Sequence, residues 1–286
     1  MTETPDVWCL AVHGGAGRIE QPFAGWEAGI AQALDVGGAV LAEGGTALDA
    51  VTAAVVSLEE NPDYNAGRGS VLTSAGTVEM DAAVMDHRRD GGAVTLVRTT
   101  RNPIRLARAV MEQTPHVLLV GDALALELGL EQRPNDWFIT ERRAAALARA
   151  RGLELDHGTV GAVAVDVHGH CAAATSTGGM TNKRPGRVGD TPILGAGTWA
   201  DATCAVSCTG HGELILRTAL ARRVARFRED NALERAAERA LSELSEIDGA
   251  AGLIAVDVRG VVTLPYTTLG MYRGWRHSDG RGDIGA

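Results

Sequence analysis

Residues 158–179 read GTVGAVAVDVHGHCAAATSTGG, two apolar stretches on either side of a short polar turn. Small and β-branched residues fill the two stretches, and Asp166 and Gly169 stand in the turn. This pattern is typical of two strands that pair as an antiparallel hairpin. A similar stretch, GLIAVDVRGVVTLPY, follows at 252–266. The chain therefore repeats one strand–turn–strand unit, and we expect both copies to lie in antiparallel sheets.

Helical patterns lie between the strand-like stretches. Two amphipathic segments, roughly 213–228 and 232–247, separate the hairpins. The same reading predicts further helices at roughly 25–43, 46–60, 103–111 and 140–151, and strands at 7–12, 70–73, 77–85, 93–97 and 116–120. Because hairpin-connected strands alternate with helix pairs, the order favours antiparallel sheets covered by helices over a parallel doubly wound sheet. The predicted fold class is α+β, a four-layer αββα sandwich of two stacked sheets, in a single domain over 1–286.

Composition and charge exclude several classes of protein. With 286 residues, 45% of them hydrophobic, the chain can bury a large core, and its net charge of -9 argues against sequence-independent binding to nucleic acid. No apolar run approaches the ~18 residues of a membrane span, and Asp6 interrupts any signal-peptide pattern. We therefore expect a cytoplasmic protein without nucleic-acid or membrane partners. The cysteines form no CxxC pair and read as small apolar strand residues: Cys9, Cys171, Cys204 and Cys208.

Thr159 stands immediately before the first hairpin. A threonine in mid-chain is a poor nucleophile, but cutting the Gly158–Thr159 bond would give it a free α-amine with a pKa of about 8, able to act as base for its own hydroxyl. Glycine at 158 removes the Cβ that would hinder an N→O acyl shift through a strained peptide. The preceding residues, 154–157, have no apolar pattern and are expected to form an exposed loop. The chain therefore reads as a precursor with an internal processing site.

Several motifs occur in one order along the chain. They are HGGAG (13–17), NPDYNAGRGSVLTSAGTVEMDAAVMD (61–86), NPIRLARAVMEQTPHVLLVG (102–121), GTVGAVAVD (158–166), AAATSTGGMTNKRPGRVGDTPILGAG (172–197), AVSCTGHGE (205–213) and LPYTTLGMYRGW (264–275). Together they closely resemble plant-type L-asparaginases, the isoaspartyl aminopeptidase branch of the N-terminal-nucleophile hydrolases. The resemblance covers nearly the whole chain.

The resemblance implies a fold, a processing event and an activity. The fold is the αββα sandwich, and autoproteolysis divides the chain into an α fragment (1–158) and a β fragment (159–286). Two such αβ units are expected to form a dimer. The expected substrates are β-aspartyl (isoaspartyl) dipeptides and L-asparagine, whose side-chain amide is hydrolysed to L-aspartate.

Four residues would carry the chemistry under this resemblance. Thr159 is the nucleophile, which forms a β-aspartyl ester before hydrolysis. Thr177, in the STGG turn, is expected to hydrogen-bond the nucleophile's hydroxyl or amine. Thr209 and Gly210 fit an oxyanion hole, since a helix is predicted to open beside them and its dipole favours negative charge. Ordinary strand ends and a plain helix N-cap are the alternative readings of these Thr and Gly residues.

Four further residues are expected to bind the substrate. A substrate with a free α-carboxylate and α-ammonium needs a cation and an anion close together, and Arg187 and Asp190 provide them. A mutual surface salt bridge is the alternative, but the glycines that flank both residues favour binding. By resemblance, Gly212 adds its carbonyl to the ammonium site, and Asn65 lies near the nucleophile.

No cofactor is required by this chemistry, although the resemblance suggests a structural sodium ion. Main-chain carbonyls would hold it, and these leave no side-chain signature. The carbonyls are those of Leu58, Glu59, Asn61, Tyr64, Ala66 and Arg68. Among the histidines, His87 and His170 are expected to be surface turn residues. His211 either tunes pH dependence or faces solvent.

Other functions remain open from the sequence. An aspartylglucosaminidase-like enzyme acting on glycoasparagine would share the fold and nucleophile, and so would a threonine endoprotease. HGGAG (13–17) could cradle a phosphate, but no Gly-Lys-Ser/Thr comes after it. An uncut, non-catalytic binding relative is the last alternative. The residues do not rank asparagine against isoaspartyl dipeptides; only the resemblance favours the dipeptides.

Overall fold

The structure, a computed structural model, describes residues 7–19, 22–150 and 158–286. Its strands are β1 Cys9–Gly17, β2 Met80–Asp86, β3 Gly91–Val97, β4 Leu118–Val120, β5 Val160–Val165, β6 Cys171–Thr177, β7 Thr198–Ala200, β8 Cys204–Gly210, β9 Ala251–Asp257, β10 Val262–Thr263, β11 Gly270–His277 and β12 Gly282–Gly285. Its α-helices are α1 Trp26–Ala42, α2 Ala47–Glu60, α3 Pro103–Gln113, α4 Ala123–Glu127, α5 Glu141–Arg149, α6 Gly212–Thr218, α7 Leu220–Arg228 and α8 Leu233–Ser245, with a short 3₁₀ helix at Asn135–Phe138. The predicted loop at 154–157 lies outside the described residues.

The strands form two sheets. The larger has eight strands in the order β12-β11-β1-β5-β6-β2-β3-β4, and the smaller has four in the order β10-β9-β8-β7. Neighbouring strands are antiparallel except for β3 and β4. These pairings and the surrounding helices confirm the α+β class.

Alternation along β1 shows how the sheets and helices pack. Leu10 and Val12 face a core formed with α1, α2 and α3. Cys9 and Ala11 point the other way, into a second core with residues of β8 and β9. That core contains many alanines and cysteines, and these small side chains allow the sheets to lie close together. A third core lies between the smaller sheet and α6, α7 and α8.

Local sequence explains the start of α2. Thr46 has extended backbone angles, and its hydroxyl accepts the backbone N–H of Asp49 at 3.1 Å, which caps the helix. The carboxylate of Asp166, from the first hairpin, accepts the N–H of Ala47 at 3.1 Å. The predicted helix is therefore confirmed, and it is attached to the hairpin turn.

Both predicted hairpins are confirmed: β5 pairs with β6 and β9 pairs with β10. The strand predicted at 70–73 is wrong, since Thr73 makes only an isolated bridge with Lys183. The reason is that the N–H of Val71 donates to the side chain of Asn65 at 2.8 Å instead of to a neighbouring strand.

The single helix predicted at 213–228 is also wrong. It is divided into α6 and α7 at Ala219, whose φ of 49° is left-handed. The hydroxyl of Thr218 donates to the carbonyls of Leu214 and Ile215, a local bond that competes with continuing the helix. None of the helices in the described part of the chain combines the length and apolar character that crossing a bilayer requires.

Candidate active site

Thr159 immediately precedes β5, the strand between β1 and β6 in the middle of the larger sheet. It is 7% exposed. Its hydroxyl donates to the Oγ1 of Thr177, at the end of β6, over 3.3 Å. The strand pairing therefore brings the predicted nucleophile and its predicted partner together.

The carbonyl oxygen of Gly158 receives two hydrogen bonds. Asn65 Nδ2 donates to it at 2.6 Å and Thr177 Oγ1 at 2.8 Å. Attack by the Thr159 hydroxyl on this carbonyl would place negative charge on that oxygen, and donors of this kind stabilise such charge. The carbonyl at the predicted cleavage site thus has two donors in the arrangement that an oxyanion hole requires, which sequence reasoning did not identify.

The two donors are themselves held in place. The Oδ1 of Asn65 accepts the N–H of Val71 at 2.8 Å, and its Nδ2 also donates to the carbonyl of Gly179 at 2.8 Å. Thr177 Oγ1 accepts the N–H of Gly179 at 2.9 Å. Because these hydrogen bonds to backbone groups hold the side chains of Asn65 and Thr177 in place, both are preorganised.

Arg187 is bound by a carboxylate, but not by Asp190. Its Nε and Nη2 donate to the two oxygens of Glu213, each at 2.9 Å, and its side chain is 16% exposed. Although burial opposes it, this pairing holds the pKa of Glu213 below its usual value. The surface salt bridge between Arg187 and Asp190, weighed as the alternative reading, does not form; Glu213 was missed.

Asp190 is buried, and its Oδ2 has no hydrogen-bond partner among the described residues. Burial raises the pKa of its carboxyl to about 7, and the charge of Arg187 opposes the rise. An unpartnered buried carboxyl costs free energy unless something else binds it. Asp190 is therefore suited to accept a ligand's ammonium group.

Glycines leave the space that the Arg187 guanidinium occupies. A Cβ at Gly189 or at Gly212 would lie 2.8 Å from its nitrogens. A Cβ at Gly212 would also lie 2.8 Å from Asp190 Oδ1. The GRVGD and TGHG motifs therefore use glycine to let a cation, an anion and backbone meet.

Thr209 and Gly210 end β8 beside this group. The Oγ1 of Thr209 accepts the N–H of Ala16 at 3.1 Å, which ties it to the HGGAG segment. Gly210 has a φ of 133°, and a Cβ there would lie 2.6 Å from the carbonyl oxygen of Ala250. Their oxyanion role stays a prediction.

Most of the predicted site residues line one small cleft of about 10 Å³. It is lined by Gly158, Thr159, Thr177, Gly179, Met180, Arg187, Gly189, Asp190, Gly210 and Gly212. Asn65 reaches it through the carbonyls of Gly158 and Gly179. The continuous chain leaves room there for about one water molecule.

Sequence reasoning also missed a buried histidine behind Thr159. His13 Nδ1 lies 3.1 Å from the backbone carbonyl of Thr159, and its Nε2 lies 2.9 Å from Ser207 Oγ. A carbonyl can only accept, so Nδ1 carries the proton and Nε2 accepts the serine hydroxyl. Burial lowers the pKa of His13 to about 3, against the effect of the bond to Thr159. The signal was a polar residue that ends an apolar strand before two glycines.

The hydroxyl of Ser207 continues a buried chain of hydrogen bonds. It lies 2.8 Å from Thr175 Oγ1, which receives a bond of 2.7 Å from Thr198. Thr198 also reaches the carbonyl of Thr191 at 3.1 Å. This chain crosses between the sheets and connects the nucleophile's peptide with the residue after Asp190.

The segment predicted to bind sodium begins near the end of α2 and continues beyond it. Backbone N–H groups already donate to the carbonyls of Leu58, Glu59 and Asn61. Each carbonyl keeps a second lone pair. Among the described residues, no cluster of three His, Cys, Asp or Glu side chains could hold a metal ion. Sodium binding by Leu58, Glu59, Asn61, Tyr64, Ala66 and Arg68 stays a prediction.

The three histidines singled out from the sequence occupy different places. His211 precedes α6, and its Nε2 lies 3.9 Å from Glu213 Oε2. His87 and His170 stack at 3.8 Å, at the opposite end of β6 from Thr177. Only His211 is therefore placed beside the Arg187 pair.

Comparisons with known proteins give one consistent relationship. A family model described as "Asparaginase" matches residues 6–286. The chain is 44% identical to an isoaspartyl peptidase of Escherichia coli (strain K12), in an alignment that covers 94% of this chain and 92% of that protein. It is 44% identical to an isoaspartyl peptidase/L-asparaginase of Danio rerio, covering 92% and 90%. It is 43% identical to the protein of that name from Homo sapiens, covering 92% and 91%.

Proposed function

The chain belongs to the asparaginase family, and on that premise we propose that it is a threonine amidohydrolase that cuts itself between Gly158 and Thr159. The cut enzyme hydrolyses β-aspartyl dipeptides and the side-chain amide of L-asparagine. The observation that carries the proposal is the Gly158 carbonyl, which is held by Asn65 and Thr177 while the Thr159 hydroxyl contacts Thr177.

Self-cleavage begins with the hydroxyl of Thr159. Its oxygen attacks the carbonyl carbon of Gly158, and the resulting oxyanion stays bonded to Asn65 and Thr177. The C–N bond then breaks, the nitrogen of Thr159 takes up the proton that the hydroxyl gave up in the attack, and an ester joins the two fragments. Water hydrolyses the ester, which leaves a carboxylate on the fragment 1–158 and a free threonine amine on the fragment 159–286.

The freed amine then serves each catalytic cycle. It takes the proton from Thr159 Oγ1 as this oxygen attacks the side-chain carbonyl of the substrate. Thr209 and Gly210 stabilise the oxyanion, and Thr177 orients the nucleophile. The amine gives its proton to the departing ammonia or amino acid, and then activates the water that hydrolyses the β-aspartyl ester.

Recognition of the aspartyl group rests on Arg187 and Asp190. The Arg187 guanidinium, which Glu213 holds through Nε and Nη2 and which glycines surround, binds the α-carboxylate through its remaining N–H groups. Asp190 and the carbonyl of Gly212 bind the α-ammonium. A zwitterionic group of this size favours small substrates over the internal peptide bonds that an endoprotease cuts.

Several features of the protein accompany this function in the proposal. The three cores support a four-layer αββα arrangement in one domain. The four free, buried cysteines support a reducing, cytoplasmic location. We further propose a dimer of αβ units, and a sodium ion held by the carbonyls at 58–68 that would brace the loop carrying Asn65.

The decisive experiment compares the wild-type protein with Thr159→Ala and Thr159→Ser. We expect the denatured wild-type protein to show two masses that break between Gly158 and Thr159, and Thr159→Ala to stay whole. Thr159→Ser, which keeps a hydroxyl, should still be cut. The same samples are assayed with asparagine and β-aspartyl-leucine. An inactive single chain in the wild type would support the non-catalytic alternative and overturn the proposal.

A further inference from the structure

Gly158 forms part of the lining of two cavities. One is the cleft that contains Arg187 and Asp190, and the other is a larger cavity of about 220 Å³. Gly158 is the residue that the two linings share. Once the bond between Gly158 and Thr159 is cut, the Gly158 carbonyl can move away from its position between the two cavities. A substrate bound at Thr159 can then extend from one cavity into the other.

The direction of extension depends on the proposed binding of the aspartyl group. With the zwitterionic end held by Arg187 and Asp190, the carbonyl that reacts lies at Thr159. The leaving group must therefore point away from the cleft, which is toward the larger cavity. Ammonia released from asparagine needs no such space, whereas the amino acid released from a dipeptide does.

The charge of the larger cavity suits a carboxylate. Among the described residues of its lining, the charged ones are three arginines, Arg18, Arg142 and Arg143, and one carboxylate, Asp63. Arg143 is buried, and its Nε donates to the carbonyl of Gly69 at 2.6 Å. Arg142 is exposed at the cavity and can approach a ligand.

One side of the cavity is an aromatic wall. Phe23 packs edge-on against Tyr64 and Tyr272, with centroids 5.4 and 4.9 Å away. Tyr272 accepts the N–H of Phe23 at 3.3 Å, and Tyr64 donates to the carbonyl of Trp26 at 2.6 Å. The rings are therefore fixed by hydrogen bonds, and their faces and edges offer an apolar surface.

Arg142 lies where the charge and the aromatic wall meet. Its guanidinium stands 5.2 Å from the centre of the Phe23 ring and donates to the carbonyl of Asp63. Both contacts orient the cation and leave further N–H groups on its five-donor fork.

We propose that this cavity binds the leaving amino acid of a β-aspartyl dipeptide, with its α-carboxylate beside Arg142 and its side chain against Phe23 and Tyr272. The inference rests on the proposed function and extends it. It assigns the specificity that the sequence left open: dipeptides with a free C-terminal carboxylate and an apolar second residue are preferred over asparagine.

The experiment uses the processed enzyme and three substrates: β-aspartyl-leucine, β-aspartyl-leucinamide and asparagine. The wild type is expected to have a kcat/KM for β-aspartyl-leucine about tenfold above that for the amide, since a charge-assisted hydrogen bond is lost. Arg142→Gln should remove this preference and lower the ratio of dipeptide to asparagine activity by about tenfold. Arg142→Lys should restore part of both.

A matched control is Arg226→Gln, which removes an exposed arginine from α7. It should leave both ratios as in the wild type. Equal wild-type rates on the acid and the amide would overturn the inference, and so would an equal loss on all three substrates in Arg142→Gln. Absence of activity on asparagine as well as on dipeptide would instead overturn the proposed function beneath it.

Discussion

The hairpins β5–β6 and β9–β10 have turns of the same geometry but differ in their second strands. The Oδ1 of Asp166 accepts the N–H groups of His168 and His170, both at 3.0 Å. The Oδ1 of Asp257 likewise accepts the N–H groups two and four residues ahead, at 2.9 and 3.1 Å. The glycine three residues after each aspartate has a φ of 76° in one and 77° in the other.

Beyond the turn the two hairpins diverge. Strand β6 continues for seven buried residues and ends with Thr175, Ser176 and Thr177. Strand β10 has two residues, and Pro265 comes shortly after it. At the same offset from the turn, Thr177 corresponds to Thr268, whose hydroxyl donates to the carbonyl of Gly270 at 2.9 Å. The repeated strand–turn–strand unit therefore specifies a hairpin, and the proposed chemistry uses the end of the second strand in only one copy, at Thr177.

Removing the hydroxyl at the two corresponding threonines tests this difference most strongly. Thr177→Val should slow self-cleavage by about 10²–10³-fold, because a donor to the Gly158 carbonyl is lost. Thr268→Val, its counterpart, should be cut at a rate close to the wild type's. A time course of fragment formation after synthesis measures both. Equal rates in the two variants would show that Thr177 is not a donor in the reaction.

The carboxyl group of Asp190, the residue beside the end of a hydrogen-bond chain from the first hairpin, gives a second prediction. The hydroxyl chain from Thr175 ends at Thr191, beside Asp190. In the other hairpin the corresponding residue is Tyr266, with the guanidinium of Arg273 at 4.8 Å from its ring. If ionised Asp190 binds the substrate ammonium, kcat/KM for asparagine should rise as pH increases through about 7, the pKa to which burial raises this carboxyl.

Asp190→Asn should lose about 10–100-fold in kcat/KM at pH 8 and should no longer show the rise near pH 7. The amine of Thr159 also titrates in this range, but it remains in the variant and its effect on kcat should persist. A kcat/KM profile with the same inflection in both proteins would exclude Asp190 as its source.

The smallest expected effect concerns the turns themselves. Asp166 Oδ2 accepts the N–H of Ala47, whereas Asp257 Oδ2 accepts the guanidinium of Arg228 at 3.0 Å. Replacement by Asn keeps the Oδ1 atom that accepts the turn N–H groups. It replaces Oδ2 by an NH₂ group, which cannot accept from Ala47 or Arg228. We expect Asp257→Asn to cost about 2 kcal/mol and Asp166→Asn about 1 kcal/mol, because the first also leaves Arg228, 21% exposed, unpaired. Thermal unfolding of the processed proteins measures the order, and the reverse order would contradict the argument.

The sequence allowed the repeated hairpin and most helices to be predicted, because periodicity and capping are local properties. Thr46 and Asp49, for example, stand three residues apart and begin α2 as expected. The hydrogen bonds between Ser207 and His13 and between Arg187 and Glu213 join residues 194 and 26 positions apart. No local pattern relates such residues, and the strand order that brings His13 between the sheets is a property of the whole fold.

The failed prediction at 70–73 has the same origin. Its two apolar residues, Val71 and Leu72, favour a strand, but the side chain of Asn65, from outside the segment, accepts the N–H of Val71. The residues predicted around Thr159 were placed by their resemblance to a family. Their three-dimensional arrangement, including the second donor on Gly158, could be seen only in the folded chain.

Because Gly158 lies between the two cavities, the activity of a molecule would depend on the time since its synthesis. If the cut that moves it aside is made by the chain's own hydroxyl, it is a first-order event, independent of dilution and of any other enzyme. The activity of a newly synthesised population would then rise exponentially toward its final value, with a single half-time that does not depend on the protein concentration. In a growing cell, the fraction of working enzyme would be set by that half-time relative to the doubling time.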